Sequence, residues 1–218
     1  MKTTNKDNIG FLFDLDGVII DSESRYTEIW GEINGCFPTG VAQFEHKIKG
    51  TTLDNILSTY FDEADRDSVV AMLNEKEQAM VYDYLPGAKE LLETIKESSL
   101  AAALVTSSND KKMEHLLSQH PELKGLFRQI IDATMVSRSK PDPEGYLKGA
   151  EAIGANPRQC VVFEDSVQGV KAGKASGAYV VGVAGTVPEE ALRPYADAIV
   201  GNLKEIDFSQ LCGILKLR

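Results

Sequence analysis

Apolar positions along this 218-residue chain follow two rhythms. Between Asp21 and Tyr84 they recur with the period of an α-helix. Tyr26, Ile29, Trp30 and Ile33 fall at i, i+3, i+4 and i+7, and Leu53, Ile56, Leu57 and Tyr60 repeat that spacing. A third, longer helix is predicted over about residues 65–84, with Val69, Leu73, Met80 and Tyr84 among its apolar positions. On either side of this stretch the rhythm changes. Short apolar runs rich in β-forming residues, at 9–13, 101–105, 129–133, 160–163, 179–183 and 198–200, alternate with helical patterns. Ala88, Leu91, Leu92 and Ile95 mark one such helix, and Met113, Leu116 and Leu117 a second behind an Asn109 N-cap. A third opens at Asp142 as N-cap with Pro143 in the first position, and runs to near Gly154. The helix after residue 163 is rich in small residues, Gly169, Ala172, Gly173 and Ala175, which suits close packing on a sheet, and a last helix is expected after Ile206.

Repeated strand-helix units predict a parallel sheet with helices on both faces, a Rossmann-like doubly wound α/β fold. The helical stretch is too long for an ordinary connection. It reads as a small α-helical domain, residues 21–84, inserted after the first strand of an α/β core made of 1–20 and 85–218, with hinges near 18–22 and 84–87.

The polar residues that carry chemistry fall where the predicted strands stop: Asp14 and Asp16, then Thr106 and Ser107, then Glu164 and Asp165, with Lys140 leading out of the third strand. In a right-handed parallel sheet these ends share one edge, where ligands bind. Taken alone, Asp14-Leu15-Asp16-Gly17 is also what a turn is made of. As a site, the two acids either share a cation or divide nucleophile and proton-transfer roles. Agreement among four strand ends favours a site. Carboxylates around an open cavity suit a hard cation such as Mg²⁺. Lys140 and the helix start at Thr106 to Asn109 are local positive features that would hold an anion. Together they describe phosphoryl transfer.

Charge and composition narrow the partners. A net charge of −10 argues against nucleic acid or an anionic membrane surface, so a bound phosphate needs a local device. Cys36, Cys160 and Cys212 are odd in number and widely spaced, which points to a reduced compartment rather than a disulfide framework or zinc site. The polar start, Met1 to Lys6, and the shortness of the apolar runs lead to the expectation of a cytoplasmic protein, without a membrane partner and taken as a monomer.

Asp14-Leu15-Asp16-Gly17-Val18, Thr106, Lys140-Pro141 and Glu164-Asp165, in this order, resemble the four motifs of the haloacid dehalogenase superfamily. The likeness covers almost the whole chain, inserted helical cap included. Phe163-Glu164-Asp165-Ser166-Val167-Gln168-Gly169 followed by Ala172-Gly173 is most similar to the subgroup of β-phosphoglucomutase and small sugar-phosphate phosphatases. The resemblance implies that Asp14 is the nucleophile that becomes an aspartyl-phosphate. It implies that Asp16 protonates the leaving oxygen and then activates water. Mg²⁺ would be bound by Asp14, the Asp16 backbone carbonyl and Asp165, with Glu164 a ligand through water or from behind the direct ligands. Thr106, Ser107, Ser108 and Lys140 would contact the phosphoryl group, and Lys140 would tie Asp14 in place. Because Asp16 is present, phosphate-ester chemistry is favoured over halide displacement or phosphonate cleavage.

Within the subgroup, a mutase carries an arginine shortly after a Lys-Gly pair in the cap and a histidine in the first cap helix. Here Lys49-Gly50-Thr51-Thr52 is followed by Leu53, and Tyr26 aligns with the histidine. Lys76 matches a mutase cap lysine and is a candidate substrate contact, although a solvated helix face explains it equally well. The preferred reading is a phosphatase acting on a small phosphorylated metabolite, with a mutase as the alternative and a non-catalytic sugar-phosphate sensor as a third. His46, His115, His120, Trp30 and Cys160 are read as packing or surface residues.

Overall fold

The computed structural model describes residues 9–48 and 53–217. Six strands, β1 (Gly10–Phe13), β2 (Ala101–Val105), β3 (Gln129–Ile131), β4 (Cys160–Glu164), β5 (Tyr179–Val183) and β6 (Ala198–Val200), form one sheet in the order β3-β2-β1-β4-β5-β6. Every pairing is parallel. β1 has a partner on both edges, Phe13 lying opposite Leu104 on one side and Phe163 on the other. Its four residues are all buried, so it reads as a continuous apolar run rather than an alternating one. Strand order turns back between β1 and β4, which puts a topological switch point beside the tips of these two strands.

The period of two sends successive side chains to opposite layers. Leu12, Ala103 and Val162 meet residues of α8 (Glu144–Ile153) and α9 (Val167–Ser176) in one fully buried cluster. Phe11 and Phe13 face the other layer, where Phe11 stacks on Phe208 and Phe13 on Phe163 at 4.6 Å. Gly149 lets α8 lie close to the sheet: a Cβ there would sit 2.9 Å from Val105.

The chain divides into two compact units, 1–21 with 82–218, and 22–81. The second holds α1 (Ser22–Cys36), α2 (Phe44–Lys47), α3 (Leu53–Tyr60) and α4 (Glu63–Gln78). Trp30 packs edge-on against Phe44 at 6.0 Å and stacks with Phe61, which makes it a core residue with one edge on a 250 Å³ cavity lined also by Tyr26, Ile56 and Leu73. α2 was not expected from the pattern; fully buried Phe44 is its reason for existing. α4 ends at Gln78 rather than near Tyr84. Beyond it Met80 and Tyr82 are buried while Val81 is 58% exposed, an alternation of extended chain that overrides the helical spacing of Leu73, Met80 and Tyr84. Extended backbone also joins the connectors: Asp21 N donates to Asp83 O and Leu85 N to Ile19 O, both at 2.9 Å. The Lys49 to Thr52 segment lies outside the described residues. The third strand stops at Ile131, and residues 133–135 form a 3₁₀ turn whose N-cap is Asp132.

Candidate active site

The site is built from the strand tips inward. Asp14 N donates to Phe163 O at 3.0 Å, so the ladder continues one residue past β1 before the chain turns. Leu15 O then accepts from Ile19 N and Ile20 N, and Gly17 N donates to Ile20 O. Gly17 has φ 73°, and a Cβ on it would lie 1.9 Å from Asp165 Oδ2. Only glycine allows both the left-handed turn and the approach of the β4 acid. Gly17→Ala is therefore expected to cost about 1–2 kcal/mol in backbone alone, with phosphate release falling further because Asp165 is displaced. Thermal melts and turnover measured together check this.

Asp14, Glu164 and Asp165 are buried, and oxygens of all three lie within 4.8 Å of one another. Lys140 reaches this group from the loop before α8, its Nζ donating to Asp14 Oδ1, to Glu164 Oε1 and to Val105 O at 3.3 Å. Burial pushes the Asp14 carboxyl up to about 7, opposed by the Lys140 charge and reinforced by Glu164 and Asp16. Burial likewise raises the Asp165 carboxyl well above its ordinary value, with the charges of Asp14 and Glu164 adding and a hydrogen bond from Thr186 opposing. Burial alone would lower Lys140, but Asp14 and Glu164 outweigh it and hold the ammonium above its ordinary value. One lysine thus faces three acids. That excess of negative charge, carried by hard oxygen donors, fits a divalent cation such as Mg²⁺. Both Glu164 oxygens already accept hydrogen bonds, Oε1 from Lys140 and from Tyr146 at 2.9 Å, Oε2 from Ser166 N and Ser166 Oγ at 3.0 Å each. Gly169 makes room for this carboxylate, since a Cβ there would meet Glu164 Oε1 at 1.7 Å.

The tip of β2 supplies hydroxyls. Thr106 is buried, anchored by its N–H to Ile131 O, and its Oγ1 accepts from Ser108 N at 3.0 Å. Ser108 Oγ donates to Asp16 Oδ2 at 3.0 Å, and Lys112 Nζ bonds Asp16 Oδ1 at 2.5 Å. Ser107 is exposed and lines a 50 Å³ cavity with Thr106, Lys140 and Tyr146. Asn109 caps α6 (Asp110–Gln119), accepting from Lys112 N at 2.9 Å. Two hydrogen-bonded groups thus stand at the strand tips: Asp14, Lys140 and Glu164 with Asp165 beside them, and Thr106, Ser108 and Asp16. Lys76 belongs to the helical unit, where it pairs with Glu32 across α1 and α4. Sequence reasoning missed Lys112, Tyr146 and Thr186. Lys112 stands one turn into a capped helix after a strand tip, a position from which a side chain reaches back over the crevice.

The loop that carries Lys140 has its own anchor. Glu144 accepts from Ser137 N and Arg138 N at 3.0 Å each and from Lys148 at 2.7 Å. Helix α8 starts one residue later than its proline suggests, with Asp142 Oδ1 accepting from Glu144 N at 3.0 Å. The Lys148 bond first, and the Ser137 amide next, lower the Glu144 carboxyl to about 2. A lowered value stabilises the fold above the unfolded-state pKa and loses that contribution as pH falls toward 2. The stability gap between wild type and Glu144→Gln is therefore expected to be constant from pH 7 down to about 4.5, then to narrow. Urea unfolding across that range measures it.

A buried carboxylate bonded to a lysine, beside two further acids that suit a hard cation, stands at the switch point of a doubly wound sheet, an arrangement of the class seen in α/β hydrolases that transfer phosphoryl groups. Residues 11–183 match the family of haloacid dehalogenase-like hydrolases, and the chain belongs to that family. It is 32% identical over 204 residues to hexitol phosphatase A of Escherichia coli (strain K12), covering 90% of this chain and 92% of that one. It is 28% identical over 188 residues to a β-phosphoglucomutase of Bacillus subtilis (strain 168), covering 79% and 81%. The solved structure of a haloacid dehalogenase family hydrolase from Deinococcus radiodurans, with bound phosphate and sodium, superposes with a TM-score of 0.80 at 25% identity over 97% of this chain and 98% of that one.

Proposed function

We propose that the protein is a Mg²⁺-dependent phosphatase that hydrolyses a small phosphorylated metabolite, a sugar phosphate in first place, through an aspartyl-phosphate on Asp14. The observation that carries this reading is the placement of Lys140 on both Asp14 and Glu164 beside Asp165. By holding Oδ1, Lys140 sets the direction of the second Asp14 oxygen. An Asp14 oxygen attacks phosphorus, the ester P–O bond breaks, and Asp16 gives its proton to the departing oxygen. Asp16 then takes a proton from water, the water oxygen attacks phosphorus, and the P–O bond to Asp14 breaks to release phosphate. Lys140 and the hydroxyls of Thr106 and Ser108 contribute charge and donors where negative charge develops. Mg²⁺, held by Asp14, Asp165 and the Asp16 carbonyl with Glu164 behind them, would neutralise the phosphoryl oxygens.

The helical unit takes the role of substrate-selecting cap in this reading. Its Tyr26 donates to Glu77 at 2.9 Å, where a mutase would carry a histidine. That favours hydrolysis over mutation, with the β-phosphoglucomutase type as the second reading. The three free cysteines fit a reducing, cytoplasmic setting, and the protein is taken as a monomer in this reading. Screening hexitol, hexose and nucleoside monophosphates with and without Mg²⁺ tests the proposal: metal-dependent phosphate release is expected. Conversion of β-glucose 1-phosphate to glucose 6-phosphate faster than phosphate release would replace it with the mutase reading.

A further inference from the structure

Lys140 is held by more than its acids. Tyr146 stands in the first turn of α8, where Gly145 and Gly149 bring the helix backbone down on Val105 of β2. That close approach drives the tyrosine, 1% exposed, under the strand tips. Its ring lies 5.0 Å from Lys140 Nζ, and its hydroxyl donates to Glu164 Oε1, the same oxygen that receives Lys140. A phenylalanine would satisfy the packing as well. What the hydroxyl adds is a bond to the carboxylate oxygen that also receives the lysine.

We propose that Tyr146 is a positioning residue for Lys140: ring and hydroxyl, with Glu164, form a buried socket that sets the ammonium on Asp14. The ring supplies a cation-π surface on one side. The hydroxyl completes the four acceptor positions of Glu164, two filled by Ser166, so this carboxylate has one orientation. The socket acts on catalysis only through Lys140, and to that extent rests on the reading of Lys140 given above.

Tyr146→Phe removes the hydroxyl and keeps the ring; Tyr146→Leu removes both. Hydrolysis of 2,4-dinitrophenyl phosphate is expected to slow about 10-fold in Tyr146→Phe, the scale of one hydrogen bond to a charged group, with KM unchanged. In a Lys140→Met background the same substitution is expected to change the rate less than about twofold, because the two act as a unit. Equal losses in both backgrounds, or none in the first, overturn the proposal. A second readout needs no turnover: the rate of Lys140 acetylation by acetic anhydride, followed by peptide mass. It is expected to rise at least about 10-fold in Tyr146→Leu as the ammonium leaves its socket. An unchanged rate in a variant with a wild-type melting profile also overturns it. If wild type releases no phosphate while acetylation rises as expected, the hydrolase reading fails and the socket stands.

Discussion

Asp14→Asn is expected to lower metal-dependent phosphate release by about 10⁴-fold or more, the scale seen when a nucleophile that acts as one unit with its neighbours is removed. The substitution keeps the size and shape of the side chain, so packing against the β1 and β4 tips is retained. What goes is the charge that pairs with Lys140 and the oxygen that attacks phosphorus. Because Asp14 is held above the normal carboxylate range by its burial, replacing it with a neutral amide removes an unfavourable buried charge as well. The variant is accordingly expected to fold at least as stably as wild type in the absence of metal. Phosphate release by malachite green, together with a melting curve in EDTA, separates the two effects. A loss smaller than about tenfold would remove Asp14 from the nucleophile role.

Lys140→Met reverses that balance. The side chain is 14% exposed and sits between two acids, so its removal leaves Asp14, Glu164 and Asp165 facing one another without the lysine that pairs with two of them. Breaking a buried pair by removing one partner costs about 3–5 kcal/mol, and the loss is expected at full size when divalent cations are chelated. Added Mg²⁺ should raise the melting temperature of Lys140→Met more than that of wild type, because the cation then meets a larger unbalanced charge. Turnover is expected to fall about 10²–10³-fold, the scale of losing one donor aimed at developing negative charge. Calorimetry with and without Mg²⁺ reads the first effect and phosphate release the second. Equal Mg²⁺ shifts in both proteins would show that Lys140 does not balance the acid group.

The parts of this fold that could be read from the chain are those whose signal is local. Strands β1, β2 and β4 announce themselves as apolar runs that stop at an acid or a threonine, and those stops line the candidate site. Gly17 sits directly after Asp16, where a turn residue is conspicuous, and Asn109 caps its helix as its position suggests. Elements set by distant partners were silent. Phe44 nucleates a four-residue helix because Trp30 and Phe61 are waiting for it, which no short window contains. Met80 has helical spacing to Tyr84 and alternating spacing to Tyr82, and burial in the extended form decides between them. Tyr146 looks like any aromatic on the apolar face of α8, since its acceptor, Glu164, arrives from another strand. Lys112 looks like a solvated helix lysine for the same reason, its partner Asp16 lying at the far end of the sequence.

The central claim is a covalent phosphoryl group on one carboxylate. Mixing enzyme with Mg²⁺ and a hexitol phosphate, quenching in acid within milliseconds and reducing with borohydride converts an acyl phosphate at aspartate to homoserine. Peptide mass spectrometry should find that conversion at position 14 and nowhere else. Full turnover with an unmodified Asp14 peptide, or homoserine at position 16 or 165, would contradict it.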